Sequence, residues 1–159
     1  MVVQIRLSKE SDLIAVHQLA VEYTSFDASP TFADIEGLYQ RNPEYFYVAI
    51  DESEKIVGFI TGYERKSIPE EVLLNWNASK VGYIELMAVK TGHRQKGIGT
   101  MLLNKLLERF QAGGIDLVIL DVPMDQQPAL KLYEKLGFKV RAYNLRKHLR
   151  SRSGAGSGI

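Results

Sequence analysis

The sequence predicts an α/β sandwich, with helices on both faces of a mixed sheet. Three observations carry that reading. Short alternating or β-branched runs recur along the chain, among them VVQIRL at 2–7 and VGYIELMAV at 81–89. Longer segments with apolar residues at helical spacing lie between them, the clearest after Gly97. The order of the elements, βααββ, a loop, then βαβαβ, mixes hairpin and crossover connections.

Each element has its own signal. Val3, Ile5 and Leu7 alternate with polar neighbours, which predicts a first strand. Ser8 is the expected cap of a helix running to about Tyr23, with Leu13, Val16, Leu19 and Ala20 on one side. Ser29-Pro30 breaks the pattern, and a second helix is expected from Phe32 to Gln40. YFYVAID at 45–51 and KIVGFITGYER at 55–65 should form a hairpin across DESE. Pro69 can open a short helix through EEVLLNW, followed by a loop at NASK. A helix from Gly97 to Gln111 presents Gly99, Leu103, Leu106, Leu107 and Phe110 on one face, widened by Ile98 and Leu102. So broad an apolar stripe predicts burial against a sheet. Gly113-Gly114 ends it. IDLVILDV at 115–122 reads as a buried central strand. A helix from Gln127 to Leu136 is stopped by Gly137, and FKVRAYNLRKHL is expected to return as a final strand or strand pair. The tail SRSGAGSGI has the composition of a flexible end.

Composition excludes several classes. The chain has 159 residues, enough for one domain with a real core, and 20 Lys+Arg face 19 Asp+Glu. No overall charge points to nucleic acid or a membrane. The basic residues Arg141, Arg146, Lys147, Arg150 and Arg152 read as a solvated end, so no nucleic-acid partner is expected. Cysteine is absent, which removes disulfides, thiolate metal sites and a cysteine nucleophile. His17, His93 and His148 are scattered without metal-ligand spacing, so no metal is expected. The N-terminus reaches charge by Arg6, and no apolar run approaches the ~18 residues of a membrane helix. A cytoplasmic location is expected.

HRQKGIGT at 93–100 is an unusual start for a helix, with two glycines and crowded cations where the helix is already positive. A glycine-rich turn between a strand and a helix leaves backbone N–H groups aimed at one spot. Gly97 and Gly99 let a large anion approach, while Arg94 and Lys96 add charge. The arrangement makes a socket for a pyrophosphate. It is not a P-loop, and the third glycine of a dinucleotide fingerprint is replaced by Leu102.

The pattern Arg94-Gln95-Lys96-Gly97-Ile98-Gly99, with YIELMAV before it and ALKLYEKLGF at 129–138 after it, resembles the GCN5-related N-acetyltransferase (GNAT) family. The resemblance covers roughly 81–140, and the N-terminal half only in element order. It implies a three-layer α/β/α sandwich with a mixed, mostly antiparallel central sheet. It implies one acetyltransferase domain over 1–150, with 151–159 as the flexible tail. Acetyl-CoA becomes the expected cosubstrate, with its pyrophosphate on residues Arg94–Thr100 and its pantetheine arm along Met87, Ala88 and Val89. A Met87 N–H would serve the acetyl oxygen. Gln126 stands where the family often has an asparagine that contacts pantetheine.

Acetyl transfer to an amine needs a base for the acceptor, whose pKa is near ~10.4 if lysine-like, and an acid for the departing thiolate. Tyr133 holds the position of the family's tyrosine facing the CoA sulfur, although Ala129, Leu132, Tyr133 and Leu136 also form a plain core stripe. Glu85, mid-strand among apolar neighbours and sharing a face with Tyr83, Met87 and Val89, is the leading base. Asp121 is its rival, since some members use an acidic residue on that strand. The expected function is direct transfer of acetyl from acetyl-CoA to a primary amine. The acceptor is open among a small amine or polyamine, an amino acid, and a protein N-terminus or lysine. A CoA-binding regulatory module without turnover is the alternative. Segment 67–80, with Trp76, could cover the acceptor cleft or meet a second subunit in a homodimer.

Overall fold

A computed structural model describes residues 2–24, 27–94 and 96–150, in two compact units over 1–123 and 124–159. The expected position of Gln95 and the tail 151–159 lie outside the described residues. The first unit holds a five-stranded sheet in sequential order. Its strands are β1 (Gln4–Leu7), β2 (Phe46–Ile50), β3 (Ile56–Arg65), β4 (Val81–Val89) and β5 (Leu117–Ile119). Neighbours are antiparallel except β4 and β5, which are parallel. The mixed, mostly antiparallel sheet is therefore as expected.

Helices α1 (Leu13–Tyr23) and α2 (Phe32–Arg41) cover one face. Leu13, Val16, Leu19 and Ala20 of α1 and Ile35 and Leu38 of α2 join Phe46, Val48, Phe59 and Ala88 in one core. A reciprocal cap starts α2: Thr31 Oγ1 accepts the Asp34 N–H at 3.1 Å, and the Asp34 carboxylate accepts the Thr31 N–H at 2.8 Å. Ser8 does not cap α1 as expected. Its N–H is spent on the Phe46 carbonyl, and a 3-10 turn at Glu10–Asp12 intervenes. The entry is held instead by Asp12, which accepts from Arg6 at 2.7 and 3.0 Å and from the Lys9 N–H at 2.7 Å.

Helix α4 (Ile98–Ala112) covers the other face, after the short α3 (Glu70–Trp76). Leu102, Leu103, Leu106 and Phe110 are fully buried, in agreement with the predicted stripe. Sheet glycines make room for it. A Cβ at Gly58 would press on Leu102, and Cβ atoms at Gly62 and Gly82 would press on the Phe110 ring. Phe110 also packs on Tyr45, with ring centroids 4.8 Å apart.

Two expectations fail. The strand expected at 115–122 as buried and central is three residues long, half-buried and at the edge of the sheet; it starts late because Asp116 is taken by the α3–β4 turn, accepting from Ser79 and Lys80. No strand forms in the described part of FKVRAYNLRKHL. Phe138 packs on Tyr133, but Val140, Tyr143, Leu145 and Leu149 are exposed, Tyr143 and Leu145 at 88% and 90%, so the segment has no buried apolar face to support an extended ladder. The second unit contributes α5 (Gln127–Lys135), closed by Gly137 at φ 96°.

Phe110→Ala leaves a cavity between α4 and the glycine-lined sheet. It should cost about 3–5 kcal/mol in denaturant unfolding, whereas a loss below about 1 kcal/mol would mean that α4 is not seated as described.

Candidate active site

Strand β4 is not regular. Thr61 pairs with Leu86 and the next residue, Gly62, pairs with Ile84, so Glu85 has no partner on β3. One extra residue in one strand is a β-bulge, which bends the strand and re-aims side chains. Before it, Tyr83 lies opposite Tyr63, with rings 5.6 Å apart, on the face covered by α1 and α2. After it, Leu86 and Ala88 pack on that same face. Met87 pairs with Ile60 and Val89 with Gly58, whose missing Cβ faces α4. The predicted sharing of one face by Glu85, Met87 and Val89 is thus incorrect, because the bulge interrupts the alternation.

The bulge opens onto a cavity of about 440 Å³. Tyr83, Glu85 and Leu86 form one wall together with Asp121, and Asp34, Leu38 and Arg41 of α2 form the other. Thr24 and residues 27–30, between the two helices, line its rim. The structure therefore brings the two rival carboxylates, Glu85 and Asp121, into one cleft. Tyr83 donates its hydroxyl proton to Asp121 Oδ2 at 2.5 Å, a short charge-assisted bond. Burial, then that bond and the charges of Asp121 and Glu85, push the Tyr83 phenol far above its usual range, so it stays protonated. Burial first, and then the Asp121 charge, raise the pKa of Glu85. A carboxylate so shifted is a stronger base than an ordinary glutamate. Sequence reasoning placed Tyr83 only as a neighbour of Glu85. The alternation putting residues 83 and 85 on one face was the available signal, but its bond to Asp121 joins residues 38 apart.

At the far end of β4, Lys90 N–H closes onto the Val57 carbonyl at 2.8 Å, and the chain turns into α4. Gly97 caps that helix with φ 78°, a left-handed conformation that disfavours any side chain, and nothing lies within 4 Å of its would-be Cβ. The first turn holds no acidic residue. Ile98 is buried, while Lys96 is exposed and Gly99 and Thr100 are partly covered. The amides there are unspent by the helix itself. Arg94 donates Nε–H to the Val89 carbonyl at 3.0 Å and lies over the Tyr23 ring at 4.9 Å. This corner fits a diphosphate: free amides, cations and open space, with no competing carboxylate in the helix start.

In the second unit Tyr133 is buried on α5 with its ring 5.6 Å from Phe138, and burial pushes its phenol up to about 12. Gln126 directly precedes α5, and its carbonyl accepts the Leu130 N–H at 3.1 Å. Among the described residues no group of three or more His, Asp or Glu side chains is placed to hold a metal, and no helix is long and apolar enough to cross a membrane.

A bulged strand running into an anion-receptive helix start is geometry suited to a phosphate-bearing ligand. The chain belongs to the acetyltransferase (GNAT) family, whose model matches residues 13–138. An N-alpha-acetyltransferase of Sulfurisphaera tokodaii is 28% identical over 141 residues, covering 84% of this chain and 77% of that protein. N-alpha-acetyltransferase 30 of Xenopus laevis is 46% identical over 57 residues, which are 36% of this chain but only 21% of the frog protein. Among solved structures, the NatC complex bound to Gag peptide and CoA aligns with TM-score 0.80 at 21% identity, covering 94% of this chain and 92% of the other. Ard1 of Thermoplasma volcanium aligns with TM-score 0.73 at 28% identity, over 89% and 86% of the two chains.

Asp121→Asn removes the second cause of the Glu85 shift and leaves an oxygen to accept from Tyr83. The Glu85 carboxyl should then titrate at lower pH in an NMR pH series, though still above an ordinary glutamate. An unchanged midpoint would mean that the two carboxylates do not share the cleft.

Proposed function

We propose that the chain is an acetyl-CoA-dependent N-acetyltransferase acting on the α-amino group of a protein or peptide N-terminus. The observation that carries this is the similarity to named N-alpha-acetyltransferases, one of them aligned over 84% of the chain. The cleft supports it. Asp34, Glu85, Asp121 and Asp27 outnumber the single cation Arg41 around it, and an approaching ammonium is favoured there.

Acetyl-CoA supplies the activated acyl group. The diphosphate rests on the amides of Gly97, Ile98, Gly99 and Thr100, with charge from Arg94 and Lys96, and the pantetheine arm follows Met87–Val89. The bulge leaves backbone around Glu85 outside the β3 ladder, and the Met87 N–H stabilises the oxyanion. The amine nitrogen attacks the acetyl carbon and its proton passes to the Glu85 carboxylate. Asp121, held by Tyr83, keeps Glu85 a better base. The C–S bond then breaks and the thiolate needs a proton, a role the family resemblance assigns to Tyr133, whose burial keeps its phenol protonated. The products are the acetylated amine and free CoA. No covalent enzyme intermediate is needed, consistent with the absence of cysteine.

The protein should release free thiol from acetyl-CoA when given peptides with free N-termini, faster than with blocked peptides, free lysine or diamines. CoA binding with no thiol release above a no-protein control would instead identify an inactive binding module. Glu85→Gln should lower kcat roughly 10²-fold or more, and an unchanged kcat would remove Glu85 as the base. Tyr133→Phe should lower turnover roughly 10²–10⁴-fold with little change in acetyl-CoA affinity. Full activity in that variant would mean that another group protonates the thiolate.

A further inference from the structure

The turn between β4 and α4 has a backbone bond of its own, His93 N–H to the Lys90 carbonyl at 3.0 Å, and is also held from outside. Of the side-chain bonds that shape it, one comes from Tyr23, the last residue of α1, whose hydroxyl accepts the Thr91 N–H at 3.0 Å. The same ring lies under the Arg94 guanidinium at 4.9 Å, while Arg94 Nε–H holds the Val89 carbonyl at 3.0 Å. Tyr23 itself is anchored, because it packs against the core shared by α1, α2 and the sheet. Its chain direction is fixed by the next residue, since Thr24 returns both its N–H and its hydroxyl to the Ala20 carbonyl at 2.9 and 2.6 Å. Thr24 is also the first residue on the rim of the cavity.

We propose that Tyr23 is a positioning residue of the acyl-donor site: it holds Thr91 and Arg94 so that the turn is already shaped for the diphosphate before the donor arrives. The inference rests on the CoA reading above. The physical reason is entropic. A turn with Gly92 and Gly97, both at positive φ, gains little stiffness from those residues, and an arginine side chain loses rotamer freedom when fixed. Tyr23 meets both costs in the free protein. A tyrosine serves where phenylalanine would not, because the ring carries the cation and the hydroxyl carries the amide. Placing that support on α1 also gives both substrates a common wall, with the donor turn on Tyr23 and the acceptor cavity beginning at Thr24.

The test is calorimetry with CoA on the full chain, in a double-mutant cycle of Tyr23→Leu and Arg94→Ala, with Tyr23→Phe as the conservative variant. Tyr23→Leu should weaken CoA roughly tenfold, having lost both contacts, and Tyr23→Phe about threefold, having kept the ring. In the Arg94→Ala background the Tyr23→Leu penalty should shrink to about threefold, the part carried by Thr91. In steady state the KM of Tyr23→Leu and Tyr23→Phe for acetyl-CoA should follow these factors, with kcat at saturation within about twofold of the parent. A merely destabilised protein would lose kcat through its active fraction and keep its KM. A wild-type isotherm with unaltered affinity in Tyr23→Leu overturns this inference alone, and so does an equal Tyr23→Leu penalty in both backgrounds. A flat wild-type titration overturns the CoA reading and this inference together.

Discussion

One unpaired residue in the middle of a sheet sets most of what this protein can do. Glu85 is the extra residue of β4, facing no partner on β3. A regular ladder would have spent its backbone on hydrogen bonds and sent the following side chains to the opposite faces. With the bulge, Leu86 stays on the face of α1 and α2 while Met87 turns towards α4. The strand gains a polar notch, and the notch faces the cavity between β4 and α2. The sheet tolerates the break because its two sides are buried independently, one by α1 and α2 and the other by α4.

Charge is distributed along β4 to match. Its middle carries carboxylates: Glu85, raised by burial and by Asp121, beside the short Tyr83–Asp121 bond. Beyond its end lie the cations, Arg94 and Lys96, and the positive start of α4. One strand thus separates a site that favours an ammonium from a site that favours an anion. In the proposed function, a donor carrying phosphates at one end and an acyl group at the other would span that separation, with a proton acceptor at its acyl end.

The sequence was legible where structure is local. Leu102, Leu103, Leu106 and Phe110 recur at helical spacing, and they are the buried side of α4. Gly97 before an apolar run marked the turn because only a backbone at positive φ needs that residue there. Glu85 within an apolar strand and Asp121 at the end of an apolar run stand out as carboxylates, and they share a cleft. What could not be read depends on distant partners. The bulge is a property of β3 and β4 in register, invisible to a strict alternation along β4 alone, which groups Met87 with the wrong face. The support of the donor turn by Tyr23 joins residues 68 apart. The final strand is absent for the converse reason: FKVRAYNLRKHL has strand-like residues, but most of its apolar side chains are exposed, and propensity alone does not make a ladder.

The central claim is that the break at Glu85 and the start of α4 together receive one acyl donor. A crystal structure of the protein with acetyl-CoA tests it most directly. The account predicts diphosphate oxygens on the amides of residues 97–100, the acetyl oxygen against the bulged backbone near Met87, and Glu85 still unpaired with β3. A donor bound away from this strand, or a β4 ladder closed without a bulge, would contradict it.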